Sequence, residues 1–182
     1  MNANSAGYSV RLKIYRLLAS VVLIAWNSAH AERYLSQDDF LHQAFDGKAP
    51  NKEKLWLAGA MKDAVKRILG HDYPGLRLSY WQSDQNTAWI LDEIGKERPI
   101  TIGVAVHDGQ IKQVSILEFR ESRGWEVRYP FFTEQFRGVK LTAEQELDMG
   151  IDGVTGATLS VRAVKKVAAL ALYLHSHVIQ KS

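Results

Sequence analysis

The sequence predicts an α+β domain in which an antiparallel sheet is flanked by helices. Three observations lead there. Apolar residues recur at helical spacing towards both ends of the chain, the middle switches to short β-branched and aromatic segments, and an Asp-Gly pair separates two of those segments. A chain of 182 residues is long enough to bury a core without disulfide or metal staples.

The elements follow in chain order. Arg11, Lys13 and Arg16 precede an apolar run from Leu17 to Trp26, and Ala29-His30-Ala31 then offers small residues at the two positions that a signal peptidase reads. Residues 1–31 therefore read as a secretory signal peptide cleaved after Ala31. The apolar run is about 10 residues long, whereas a bilayer-crossing helix needs about 20, so an uncleaved inner-membrane anchor is the second reading. Either way the folded part is expected in the periplasm.

Residues 38–45 predict a short helix, punctuated by Gly47 and Pro50. A longer helix is expected over 53–69, where Leu57, Met61, Ala64, Val65 and Ile68 share one face and Gly70 provides the stop. Strands are expected over 76–81, 87–91, 100–107 and 110–119. Asp108-Gly109 suits a type I′ hairpin turn, in which both central residues take positive φ. A final helix is expected over 160–178, with Val161, Val164, Ala168, Ala171, His175 and Val178 along one stripe. It is too polar on one face to span a membrane. The expected division is a signal peptide at 1–31, an N-terminal helix-and-strand segment at 32–99 packed on the domain, and a core at 100–182.

Composition removes several chemistries. With no cysteine, disulfides, thiolate zinc sites, iron–sulfur clusters, covalent c-type haem and cysteine nucleophiles are excluded. The net charge of +3 suggests nucleic acid only until its location is considered. Removing the three cations of residues 1–31 from the 23 basic residues leaves 20, which equals the 20 acidic ones, so nucleic acid is not an expected partner. His175 and His177 are two residues apart on a predicted helix, about 200° around its axis, and cannot chelate one ion together. Neither a His-Glu-x-x-His spacing nor a Gly-x-Ser-x-Gly elbow occurs.

The segment Gly150-Ile151-Asp152-Gly153-Val154-Thr155-Gly156-Ala157-Thr158-Leu159-Ser160 is dense in small and hydroxyl residues and runs into the last helix. Small residues let a ligand approach the backbone, and unpaired N–H groups at a helix N-terminus favour an anion. Arg162, Lys165 and Lys166 crowd the first turns, where cations are electrostatically unfavourable, and a bound anion would offset them. The residues alone equally admit a glycine-rich turn, a hydroxyl N-cap at Thr158 and a solvated basic face. A nucleotide P-loop is disfavoured because no lysine follows the glycines.

Asp152-Gly153-Val154-Thr155-Gly156-Ala157-Thr158 resembles the flavinylation motif Asp-x-x-Ser/Thr-Gly-Ala-Thr/Ser of FMN-binding domains. Such domains occur in the C subunit of sodium-pumping NADH:quinone reductase, in the G subunit of the Rnf complex and in periplasmic redox proteins. A second element supports the likeness: Glu121-Ser122-Arg123-Gly124, followed by Gln135-Phe136-Arg137-Gly138, is similar to the family's Glu-Thr-Pro-Gly and Gln-Phe-x-Gly elements in order and spacing. Ser122 and Arg123 depart from Thr-Pro. The likeness runs over about 100–176.

The resemblance implies an FMN-binding domain fold and a covalent FMN, joined through its phosphate to Thr158 by a flavin transferase that uses FAD as donor. Gly156 and Ala157 would be small to give access to Thr158, with Thr155 beside them. Asp152 would position the transferase's metal or the loop, or serve as an Asx-turn residue. Glu121, Ser122, Gly124 and Trp125 would border the flavin ring, with Trp125 stacking on it, or form a hairpin end with one core aromatic. The implied function is electron transfer with membrane or periplasmic redox partners, as a carrier more than a complete enzyme. A small flavin-dependent reductase and a non-flavin anion- or partner-binding module are the alternatives.

Overall fold

The computed structural model describes residues 32–48 and 50–180, so the expected signal peptide at 1–31 and its expected cleavage lie outside the described residues. The chain runs β1 (Glu32–Arg33), α1 (Gln37–Ala44), β2 (Asn51–Trp56), α2 (Gly59–Leu69), β3 (Arg77–Ser83), β4 (Asn86–Ile94), β5 (Pro99–His107) and β6 (Gln110–Phe119). Short helical turns at Trp125–Arg128 and Glu134–Phe136 bracket α3 (Pro130–Thr133), and α4 (Thr158–Ile179) closes the fold. All six strands pair antiparallel in the order β1-β6-β5-β4-β3-β2, giving the expected α+β architecture.

Strand alternation sends side chains to two different helical layers. On one face Leu78, Trp89, Leu91, Ile102, Val104 and Val106 pack with residues of α2 and α4. The other face is smaller, and there Trp81, Ala88, Ala105 and Leu117 meet Phe40, Leu41, Ala44 and Phe45. Gly103 leaves room for that contact, since a Cβ there would lie 2.8 Å from both Phe40 Cζ and Leu117 Cδ1. Ser36 starts α1 by accepting the Asp39 N–H at 3.0 Å.

The structure corrects one element. Residues 51–56, part of which was expected to open the second helix, form edge strand β2 against β3, and the helix begins only at Gly59. Leu55 is buried on the sheet while its neighbours Lys54 and Trp56 are exposed, which is a strand's period-two pattern overriding helix-favouring residues. Lysines at 52 and 54 suit an edge that must not pair further. The N-terminal segment supplies β1 to β4, so it builds the same sheet as β5 and β6. The Asp108-Gly109 turn has φ of 48° and 71°, as a type I′ hairpin requires.

The apolar stripe of α4 is buried, and burial widens to take in every residue from Val167 to His175. Among the described residues no helix is long and apolar enough to cross a membrane. His175 is a packed core residue with a defined tautomer. The Gly109 N–H donates to its Nε2 at 3.1 Å, so Nδ1 carries the proton and donates to Thr87 Oγ1 at 2.9 Å. Trp89 Nε1 donates to the same hydroxyl at 3.0 Å. His177 instead lies against Tyr173, its ring centroid 4.4 Å away.

Burial pushes His175 from 6.5 down to about 4, with the Asp108 charge opposing. A base with a depressed native pKa makes the unfolded state bind more protons, so stability falls as pH drops from about 6.5 to about 4. At about 1.4 kcal/mol per pKa unit the loss is about 3 kcal/mol. Denaturant melts at pH 7 and pH 4 are expected to show it, and His175→Gln, which cannot titrate, is expected to flatten that part of the curve. An equal pH dependence in the two proteins would contradict the assignment.

Candidate functional site

The site assembles where β6 ends and α4 begins. Beyond Phe119 the chain leaves the sheet, and Glu121 turns back towards the β4–β5 connection, where its Oε1 accepts the backbone N–H groups of Lys96, Glu97 and Arg98 at 2.5, 2.7 and 2.9 Å. Burial pushes its carboxyl up, but these three N–H groups outweigh it and hold the group below the usual carboxylate range. Gly124 follows with φ of 89°, and its backbone lies so close to α4 that a Cβ would meet Ser160 Oγ at 2.5 Å and Ala157 Cβ at 3.4 Å.

The Gln-Phe-x-Gly element ties the motif loop to the sheet. Phe136 is fully buried and packs edge-on against Phe132, with ring centroids 5.4 Å apart. Gly138, at φ of 79°, donates to Ile111 O of β6, and Val139 O accepts in return from Ile111 N. Gln135 accepts the Asp152 N–H at 2.7 Å through its side-chain oxygen, while its amide nitrogen donates to Phe131 O. The motif loop is thus fixed at its first residue.

Its end is fixed as well. Gly156 takes φ of 80°, and the Ala157 N–H closes a turn onto Val154 O at 2.9 Å. Ala157 is buried and stands at the N-cap of α4, where its carbonyl accepts from Val161 N. No side chain caps this 22-residue helix, and its first turn holds no acidic residue. Thr158 is the first helical residue and is exposed, and among the described residues its hydroxyl makes no hydrogen bond. Thr158 as N-cap, one of the readings open from sequence, is therefore corrected: a side chain without a hydroxyl holds that place.

Lys96, Glu121 to Arg123 and Gly156 to Ser160 line one cleft of about 600 Å³. Of the residues expected at the site, it brings together Glu121, Ser122, Gly156, Ala157 and Thr158. Gly124 packs behind the cleft, and Asp152 and Thr155 are exposed on the loop leading to it. Trp125 does not line the cleft. It sits edge-on to Tyr129 at 5.7 Å with the Arg128 guanidinium 5.0 Å from its ring, in a partly exposed aromatic cluster.

The cations are arranged differently from the sequence expectation. Lys166 is held at 3.2 Å by Glu93, whose side chain is 3% exposed and which also contacts His71. Lys165 lines a separate groove beside Arg67, and Arg162 is exposed one turn beyond Thr158. Lys96 and Arg123 are the cations that line the cleft. Lys96 and Gln135 were not singled out from sequence. Lys96 sits in a polar turn with no motif of its own, whereas Gln135 lay within a recognised element and carried a signal. No group of three potential metal ligands occurs among the described residues.

These features fit a phosphate-linked cofactor. The helix end presents a positive dipole with no side chain or acid to answer it, a free hydroxyl stands on its first residue, and nothing lies within 4 Å of a Cβ placed on Gly156. The volume is also in the range of small-molecule sites, roughly 300–1,000 Å³. No curated protein matches the chain. Residues 95–173, a little under half of the chain, match the model of the FMN-binding domain family, and that span includes the Glu121 loop, the Gln135 element and the Thr158 motif. Over residues 95–173 the chain is accordingly similar to the flavin-binding domains of the FMN-binding domain family.

Proposed function

We propose that this protein is a periplasmic electron carrier whose FMN is joined through its phosphate to Thr158. The observation that carries the reading is the unbonded Thr158 hydroxyl on the uncapped first turn of α4, opening onto a cleft whose other side is the Glu121 loop. In the attachment step Thr158 Oγ1 loses its proton and forms a bond to the FMN-side phosphorus of FAD. The pyrophosphate bond breaks and AMP leaves, under a flavin transferase acting on the exported chain. The flavin supplies reversible electron transfer when bound.

The chain's own residues hold and present it. The N–H groups of the first turn of α4 and the cations Lys96 and Arg123 would meet the phosphate, while the Gln135 to Asp152 bond keeps the motif loop in place. Tethering through the phosphate leaves the ring open to membrane or periplasmic redox partners, and nothing in the reading requires a substrate pocket beyond the flavin's own. Protein secreted with the transferase is expected to keep its flavin after acid denaturation, and to be reduced by dithionite and reoxidised without loss of colour. Release of all flavin on denaturation would contradict covalent attachment.

A further inference from the structure

We propose that Glu121 is a positioning residue of the flavin site, fixing the β4–β5 turn as one wall of the cleft and holding Lys96 there. The proposal rests on the flavin reading of the cleft given above.

Three consecutive backbone N–H groups, of Lys96, Glu97 and Arg98, converge on one carboxylate oxygen. Successive N–H groups in a turn form an anion-binding concavity, and bonds of this kind to a charged acceptor are the stronger ones. The hairpin does not need this carboxylate in order to form. Its ladder already runs to the Ile94 and Pro99 pair, and the Gly95 N–H closes the turn onto Arg98 O at 3.2 Å. What the carboxylate adds is a connection between the hairpin tip and the loop that runs from β6 towards α4. The fit is close, since a Cβ on Gly95 would come within 3.0 Å of Glu121 Oε1 and 3.1 Å of Ile100 Cδ1. Of the three turn residues, Lys96 is the one that lines the cleft, together with Glu121 itself. The bonds therefore fix the backbone from which the Lys96 side chain extends at the cleft, its ammonium 3.3 Å from Glu97 Oε1.

Two variants separate the connection from the fold. Glu121→Ala removes the acceptor, whereas Glu121→Gln keeps an oxygen that can accept the same N–H groups. Amide hydrogen exchange at Lys96, Glu97 and Arg98 is read on the full chain expressed with and without the transferase, alongside the visible circular dichroism of the attached flavin. Exchange at the three amides is expected to rise at least about tenfold in Glu121→Ala and to stay within about threefold of wild type in Glu121→Gln. The flavin's visible band is expected to change in Glu121→Ala and to return in Glu121→Gln. Unchanged exchange in Glu121→Ala would overturn the proposal, as would faster exchange with a wild-type flavin band. A wild-type chain that takes up no flavin would instead remove the flavin reading, and this proposal with it, whatever the exchange data show.

Discussion

Thr158→Ala is expected to abolish covalent flavin while leaving the fold intact. The threonine is exposed at the first position of α4, and its hydroxyl makes no hydrogen bond among the described residues, so its removal should change stability by no more than about 0.5 kcal/mol. Alanine is also the best helix former at such a position. The expected result is therefore an all-or-none loss of in-gel flavin fluorescence with an unshifted unfolding transition. Thr158→Ser keeps the hydroxyl and is expected to retain attachment. A fluorescent Thr158→Ala protein would assign the attachment elsewhere.

Gly124→Ala is expected to have the largest effect on the fold of the site. The residue holds φ of 89°, and an added Cβ would lie 2.5 Å from Ser160 Oγ, a distance that ordinary contacts do not reach. Placing alanine in a left-handed conformation costs about 1–2 kcal/mol. Overpacking adds about 1–3 kcal/mol, giving a total of about 2–5 kcal/mol. Relief by moving Ser160 would displace the first turn of α4, so flavin loading should fall together with stability. Ser160→Gly in the same chain removes the clashing side chain but not the backbone strain, and should restore part of the stability. Equal losses in the single Gly124 variant and the double variant, measured by denaturant unfolding, would show that the contact is not the cause.

The sheet was legible because its strands carry their own signals. Residues 100–119 are rich in β-branched residues on either side of an Asp-Gly pair whose conformation follows from its turn type. Strand β2 was not legible, since Lys52, Glu53, Lys54 and Leu55 favour a helix locally and pair as an edge only because β3 stands beside them. Strand β1 is two residues long, too short to show a period, and exists through its pairing with Phe119 and Glu118. At the site, the small-residue loop and its helix announced themselves by composition. The partners that fix the loop did not. Gln135 reaches Asp152 across 17 residues and Glu121 reaches Lys96 across 25, so the ends of each bond meet only once the sheet has brought them together. One cation of the crowded first turns has a partner that the sequence did not show for a related reason: Lys166 is held by Glu93 on β4, which strand alternation turns into the core.

Attachment of FMN to Thr158 is the central claim, and intact-mass analysis of the secreted wild-type chain, expressed with a flavin transferase, tests it most directly. The account predicts a single species heavier than the processed chain by one FMN less one water, with the added mass on the peptide that contains Thr158. A secreted chain of unmodified mass, or the same addition on a peptide without Thr158, would contradict it.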